Sequence, residues 1–120
     1  MGRNSKDNSL KKRRIVESIA KEYFICLHKQ NLKTLFFTLS EGKSTYGKTL
    51  KEICDYISKV EFTFSQLDAL DKTFINNEFF YTEDSNWWID IYPQSTFYRL
   101  RAKAVNCFLT MWNLVSSEQV

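Results

Sequence analysis

Three glycines and one proline are all the conformational punctuation that 120 residues contain. Sheets need frequent tight turns, and tight turns draw on glycine for positive φ and on proline for a preset φ. So small a supply argues against a sandwich or barrel and predicts an all-α chain. Aromatic residues make up 16% of the sequence, which supplies the apolar bulk for a packed core rather than a disordered coil. The length suits a single domain, able to bury about two-thirds of its unfolded surface. A small helical domain of four to five helices is expected over residues 9–120, behind a flexible polar start at residues 1–8.

Apolar spacing places the segments. After Ser9, a candidate cap, Val16, Ile19, Ala20, Tyr23 and Leu27 recur along one helical face. Leu32, Leu35, Phe36 and Leu39 repeat the pattern, so the helix either continues through Gln30-Asn31 or restarts there. Residues 42–47 read as a loop, and Thr49 with Glu52 forms a capping box before Leu50, Ile53, Cys54 and Ile57. Val60, Phe62 and Phe64 alternate with polar residues, which predicts an extended lead-in to a helix capped by Ser65, with Leu67, Leu70 and Phe74 inward. Thr82 to Asn86 is a turn, and Trp87 to Ile91 has room for one or two helical turns. Pro93 then forces Tyr92 out of the helical region and itself suits a first turn. A last helix is expected from Pro93 to about Ser116, with Phe97, Leu100, Ala104, Cys107, Met111, Leu114 and Val115 along its apolar stripe.

Several chemistries find no support. Cys26, Cys54 and Cys107 are far apart and form no C-x-x-C pair, so neither a zinc site nor a disulfide framework is indicated. His28 has no second imidazole to share a metal with. Gly42-Lys43-Ser44-Thr45 resembles the end of a phosphate-binding loop, but Phe37 stands where its first glycine belongs. Asp68, Asp71, Glu78, Glu83, Asp84 and Asp90 read as a solvated acidic face, and no nucleophile–base pair emerges. Trp87-Trp88 reads as core aromatics. The expectation is a non-enzymatic protein without cofactor, metal or small-molecule substrate. The absence of a long apolar run or signal-peptide pattern predicts a cytoplasmic location with no membrane partner.

Charge is distributed in blocks. Residues 1–60 carry 13 Lys/Arg against 6 Asp/Glu, residues 61–90 carry one Lys against 7 acids, and residues 94–117 carry three basic residues and no acid. At about 100° per residue, Ser95, Arg99, Lys103 and Asn106 share one polar face of the last helix, while Arg101 points elsewhere and can lie over the core. Hydroxyls near a helix N-terminus suit phosphate, and arginine can meet guanine with two hydrogen bonds.

The stretch from Tyr92 to Ala104, with Gln94-Ser95-Thr96 leading into Phe97-Tyr98-Arg99-Leu100-Arg101-Ala102-Lys103, resembles the recognition helix of region-4-like sigma domains. It is most similar to the ArpU-type regulators of phage late genes, in which a Ser-x-Ser-Thr start opens an aromatic-Arg-x-Arg/Lys helix. The resemblance covers residues 65–110 and rests on about a dozen positions. It implies a helix-turn-helix-like unit at about 65–116, with Gln94, Ser95, Thr96, Tyr98, Arg99 and Lys103 facing DNA and Phe97, Leu100 and Ala104 packed inward. Trp87 and Ile91 stand where the motif has a small residue and a glycine, so the scanning element is shortened or remodelled.

The functional expectation is a DNA-binding transcription regulator, its partners double-stranded DNA and RNA polymerase, with Lys11, Lys12, Arg13 and Arg14 adding phosphate contacts. The alternative is a protein-interaction module, such as a polymerase accessory factor with weak or no DNA readout. The acidic block of residues 61–90 discriminates the two: beside the recognition face it would repel DNA, whereas it could dock a basic protein surface.

Overall fold

With so few breakers, the chain folds into long helices wherever its apolar spacing allows. The computed structural model describes residues 2–40 and 50–118, with side chains over residues 8–32 and 50–116. These form α1 (Gly2–Ser40), α2 (Leu50–Ser65), α3 (Ala69–Ile75), a π-helical turn (Asn76–Phe80) and α4 (Gln94–Glu118). No strand occurs among the described residues. The expected loop at 42–47 and the Thr49 half of the capping box lie outside the described residues.

Helix α1 runs unbroken through Gln30-Asn31, where neither residue is a strong breaker. It begins at Gly2, ahead of the cap expected at Ser9, whose hydroxyl instead accepts a hydrogen bond from Arg13 one turn on (3.1 Å). Val16, Ile19, Ala20 and Cys26 are buried along its inner stripe, with Tyr23 and Leu27 half-buried.

The extended lead-in expected over Val60 to Phe64 is overturned: these residues complete α2. Ile53, Ile57, Val60 and Thr63 are its buried positions, a spacing of four, three and three residues that belongs to a helix. Thr63 disguises the stripe, because its hydroxyl is satisfied by donating to the Lys59 carbonyl (2.7 Å) and can therefore be buried at no loss of hydrogen bonding. The cap moves accordingly. Ser65 donates to the Phe62 carbonyl at the end of α2, and Asp68 caps α3 by accepting from the Asp71 amide (2.8 Å).

The main core gathers Val16 and Ile19 of α1, Val60 of α2, Phe74 and Ile75 of α3, and Phe97, Ala104, Val105 and Phe108 of α4, with Leu67 from the α2–α3 connection. A smaller cluster of Cys26, Ile53 and Ile57 joins α1 to α2. The stripe of α4 is rotated from its expected course. Phe108 is buried, as is Val105, which the sequence already sets on a widened apolar arc, because α4 packs on α1, α2 and α3 together, while Leu114, expected on the stripe, is exposed. Residues 85–91 form consecutive turns, bonded from the Ile89 amide to the Asn86 carbonyl and from the Ile91 amide to that of Trp88. Pro93 stands just before α4, its carbonyl accepting from the Phe97 amide (2.9 Å).

Candidate nucleic-acid interface

The start of α4 is fixed by aromatic packing. Trp88 lies flat on Phe97, their centroids 4.1 Å apart and their planes inclined by 11°, and Phe74 stacks on Phe97 at 5.8 Å. Trp87 meets Phe74 edge-on at 5.1 Å and donates its indole N–H to Glu78 Oε2 (3.0 Å). Both tryptophans thus anchor the helix. A buried Phe97 orients the polar residues on either side of it: Gln94, Ser95, Tyr98 and Arg99 are exposed and Thr96 is half-buried. Gln94 Nε2 donates to Tyr98 Oη one turn on (3.0 Å).

Arg101 is held inward. Its guanidinium reaches Glu78 Oε1 at 3.3 Å, and both side chains are largely shielded from solvent. It also lies 5.1 Å from the Phe97 ring and 5.2 Å from that of Tyr98, within range of an aromatic face. The π-helical turn carries Glu78, so this one carboxylate tethers both the indole of Trp87 and the guanidinium of Arg101.

On the flank toward α3, Lys103 Nζ lies 3.2 Å from Asp71 Oδ1 and 3.5 Å from Asp68 Oδ2. Asp71 is buried, at 3% exposure. The hydrogen bond to Asp71 raises the Lys103 ammonium above its ordinary value. The Asp71 amide, reinforced by Lys103, holds the Asp68 carboxyl below its own. On the opposite flank, Lys12 of α1 donates to Asn106 Oδ1 of α4 (2.9 Å). Asn8, Ser9, Lys12, Ala102, Val105 and Asn106 line a polar cleft of about 240 Å³ between the two helices. Lys11 and Arg14 are exposed, and Arg13 is half-buried. Burial, then the neighbouring Arg101, lowers the Arg13 guanidinium from its ordinary value.

The expected site residues therefore divide. Ser95, Tyr98 and Arg99 are exposed on the first turns of α4, and Lys12 of α1 is exposed beside Asn106 further along it; Lys103 lies on the α3 flank among carboxylates. Asn106, on the polar face, is the residue that joins the helices. Asp68 and Asp71 escaped notice as neighbours of Lys103, although an Asp ahead of an apolar run is a readable cap signal. Among the described residues no group of three or more His, Cys, Asp or Glu side chains could hold a metal ion, and no helix is long and apolar enough to cross a membrane. No family model, curated protein or solved structure matches this chain.

Proposed function

We propose that the protein is a DNA-binding transcription regulator of the sigma-region-4 or ArpU-like type, reading duplex DNA with the first turns of α4. The observation that carries this reading is the contact between Lys12 and Asn106, which brings the basic stretch Lys11 to Arg14 alongside the polar face of α4. Two cationic segments from opposite ends of the sequence then act as one surface. Such a surface suits a phosphate backbone, and the exposed guanidinium of Arg99 has the paired donors that a guanine edge accepts. The hydroxyl of Ser95 and the amides opening α4 add donors at a helix N-terminus, where the dipole favours phosphate. The turns at 85–91 take the place of a scanning helix in this reading.

Fluorescence anisotropy with labelled duplexes over a range of salt tests it. Arg99→Ala should cost about 1–3 kcal/mol on a preferred site and little on others if it contacts a guanine. Wild-type protein that binds no duplex at low salt would reject the reading.

The pairing of Lys103 with Asp68 and Asp71 favours a second reading, a protein-interaction module with weak or no DNA readout. Part of the acidic block lies beside α4, where it lowers the local positive potential and offers carboxylates to a basic protein surface. A nuclease-treated pull-down separates the readings, since a polymerase partner would survive the treatment and a DNA-bridged one would not.

A further inference from the structure

Away from the α4 face, α1, α2 and the π-helical turn enclose a half-open cavity of about 190 Å³. Its walls are Tyr23, Val60, Phe64, Phe80 and Tyr81, with the polar groups Glu61 and Asn76. Phe80 is the hinge of the arrangement: its ring stands at 71° to Tyr23 with centroids 5.7 Å apart, and at 62° to Phe64 at 6.4 Å. The walls therefore bring aromatic rings of differing inclination around one space. Glu61 supplies the charge, its Oε2 accepting from Tyr23 Oη at 2.8 Å.

The backbone beneath the cavity is unusual. Asn76 to Phe80 form a π-helical turn closed by the Tyr81 amide bonding to the Asn76 carbonyl (2.7 Å). π-Turns are rare and concentrate at functional sites. Relative to an α-helix, the wider turn shifts the residues beyond it by one position, about 100° around the axis. That shift falls on Tyr81, which lines the cavity beside Phe80 at the end of the turn.

We infer that this cavity binds an organic ammonium ion, its methylated head held against the faces of Tyr23, Phe64, Phe80 and Tyr81 and its charge balanced by Glu61. Aromatic faces attract cations through their negative quadrupole, and several faces with one carboxylate are the recognised means of holding a quaternary ammonium group. Size agrees. A cavity of about 150 Å³ takes a benzene-sized guest, whereas drug-sized ligands need roughly 300–1,000 Å³, so the space suits a trimethylammonium head. An anion is disfavoured by Glu61 and by the rings alike.

The test is a titration of the full chain with choline, followed through the NMR ring resonances of Tyr23 and Tyr81. Its neutral isostere 3,3-dimethylbutan-1-ol and sodium chloride at matched ionic strength serve as controls. The expected result is a millimolar or tighter dissociation constant for choline, with roughly tenfold weaker binding of the neutral isostere and no response to sodium chloride. Glu61→Gln, at an exposed position, should keep the circular dichroism spectrum of the wild type and weaken choline severalfold. Phe80→Leu, checked for folding in the same way, should weaken it further. Nε-Trimethyllysine carries the same head on a different tail; binding by either compound supports the site, and the tighter of the two indicates whether a small metabolite or a modified protein side chain supplies the head. Equal binding of choline and the neutral isostere would overturn the proposal and mark the cavity as an apolar cleft for a partner's side chain. Tyrosine resonances unmoved by both choline and Nε-trimethyllysine, at concentrations about ten times the millimolar range, would overturn it outright.

Discussion

On the flank of α4 that faces α1, Lys12 meets Asn106, a neutral amide that leaves the ammonium charge uncancelled. On the flank that faces α3, Lys103 meets two carboxylates, one of them buried. Both lysines look alike in the sequence, and a helical wheel counts Lys103 with Arg99 on the favourable face. The difference lies in what the fold brings across from 32 to 35 residues away. A basic residue contributes to a polyanion site only insofar as its charge is left over after folding, so the charge displayed by α4 is smaller than its composition implies.

The contrast depends on α4 holding its rotation about its own axis, and Phe97 sets that rotation. Phe97→Ala should destabilise the protein by about 3–5 kcal/mol, measured by chemical denaturation, because the ring is almost wholly buried against Trp88 and Phe74. A loss below 1 kcal/mol would mean that α4 is held by its later turns alone.

Asp71→Asn sharpens the contrast by bringing the α3 flank closer to the α1 flank, leaving Lys103 with Asp68. Removing a buried charged acceptor should cost about 1–3 kcal/mol of stability, while Lys103, already half-exposed, is released from that ion pair and keeps its ammonium charge for another partner. Duplex binding should tighten, and the salt slope should steepen by about 0.9 if Lys103 then reaches a phosphate. Unchanged binding with lowered stability would place the DNA contact entirely on the α1 flank.

The reverse experiment is milder. Lys12→Ala should change stability by no more than about 0.5 kcal/mol, as expected for an exposed side chain, yet flatten the salt slope by about 0.9 and weaken all sequences alike. A slope equal to that of the wild type would remove Lys12 from the interface.

The smallest effect is on pH dependence. The folded Asp68 carboxyl lies below its ordinary value of 3.8, first through the Asp71 amide and then through Lys103. Its contribution to stability is therefore present above about pH 3.8 and lost as pH falls through the lower folded value. Lys103 has the opposite sense: raised above 10.5 by Asp71, it contributes below that pH and loses the contribution as pH rises through its folded value. Thermal melts should show a shallow acid decline that Asp68→Asn reduces. An identical acid profile in the variant would assign the decline to other carboxylates.

The helical architecture was legible because its causes are local. Scarce glycine and proline predicted helices, the stripe of α1 its inward face and Pro93 the start of α4, whereas the start of α1 at Gly2 and its unbroken run through Gln30-Asn31 were not fixed by the spacing. The misreading at Val60 to Phe64 has an equally specific cause, since Thr63 is polar in kind but buried in fact, and Phe62 is apolar but exposed at 51%. One inversion on each face was enough to turn a helical spacing into an apparent alternation. On α4, the exposure of Ser95 and Arg99 followed from the wheel, and that of Tyr98 was implied only by the resemblance. The capture of Lys103 and the tether of Arg101 to Glu78 did not, because each depends on how α3 and the π-helical turn pack against α4. The aromatic cavity was illegible for the same reason: Tyr23, Phe64 and Phe80 come from three separate elements, and their rings meet only after packing.

The three tryptophans give this helix an optical address at each end. Trp88 lies flat on Phe97 near its beginning, while Trp112, about 22 Å further along at 1.5 Å per residue, stacks on Phe108 with the Lys59 ammonium 3.8 Å from its ring centre. Indole emission responds to the charges and rings around it, so the same rod reports on two surroundings of different character. Replacing Trp88 and Trp87 by phenylalanine would leave the distal signal alone, and replacing Trp112 would leave the proximal pair. A ligand that disturbs only the foot of the helix and one that shifts the whole rod would then be told apart by intrinsic fluorescence, without attaching any label to the protein.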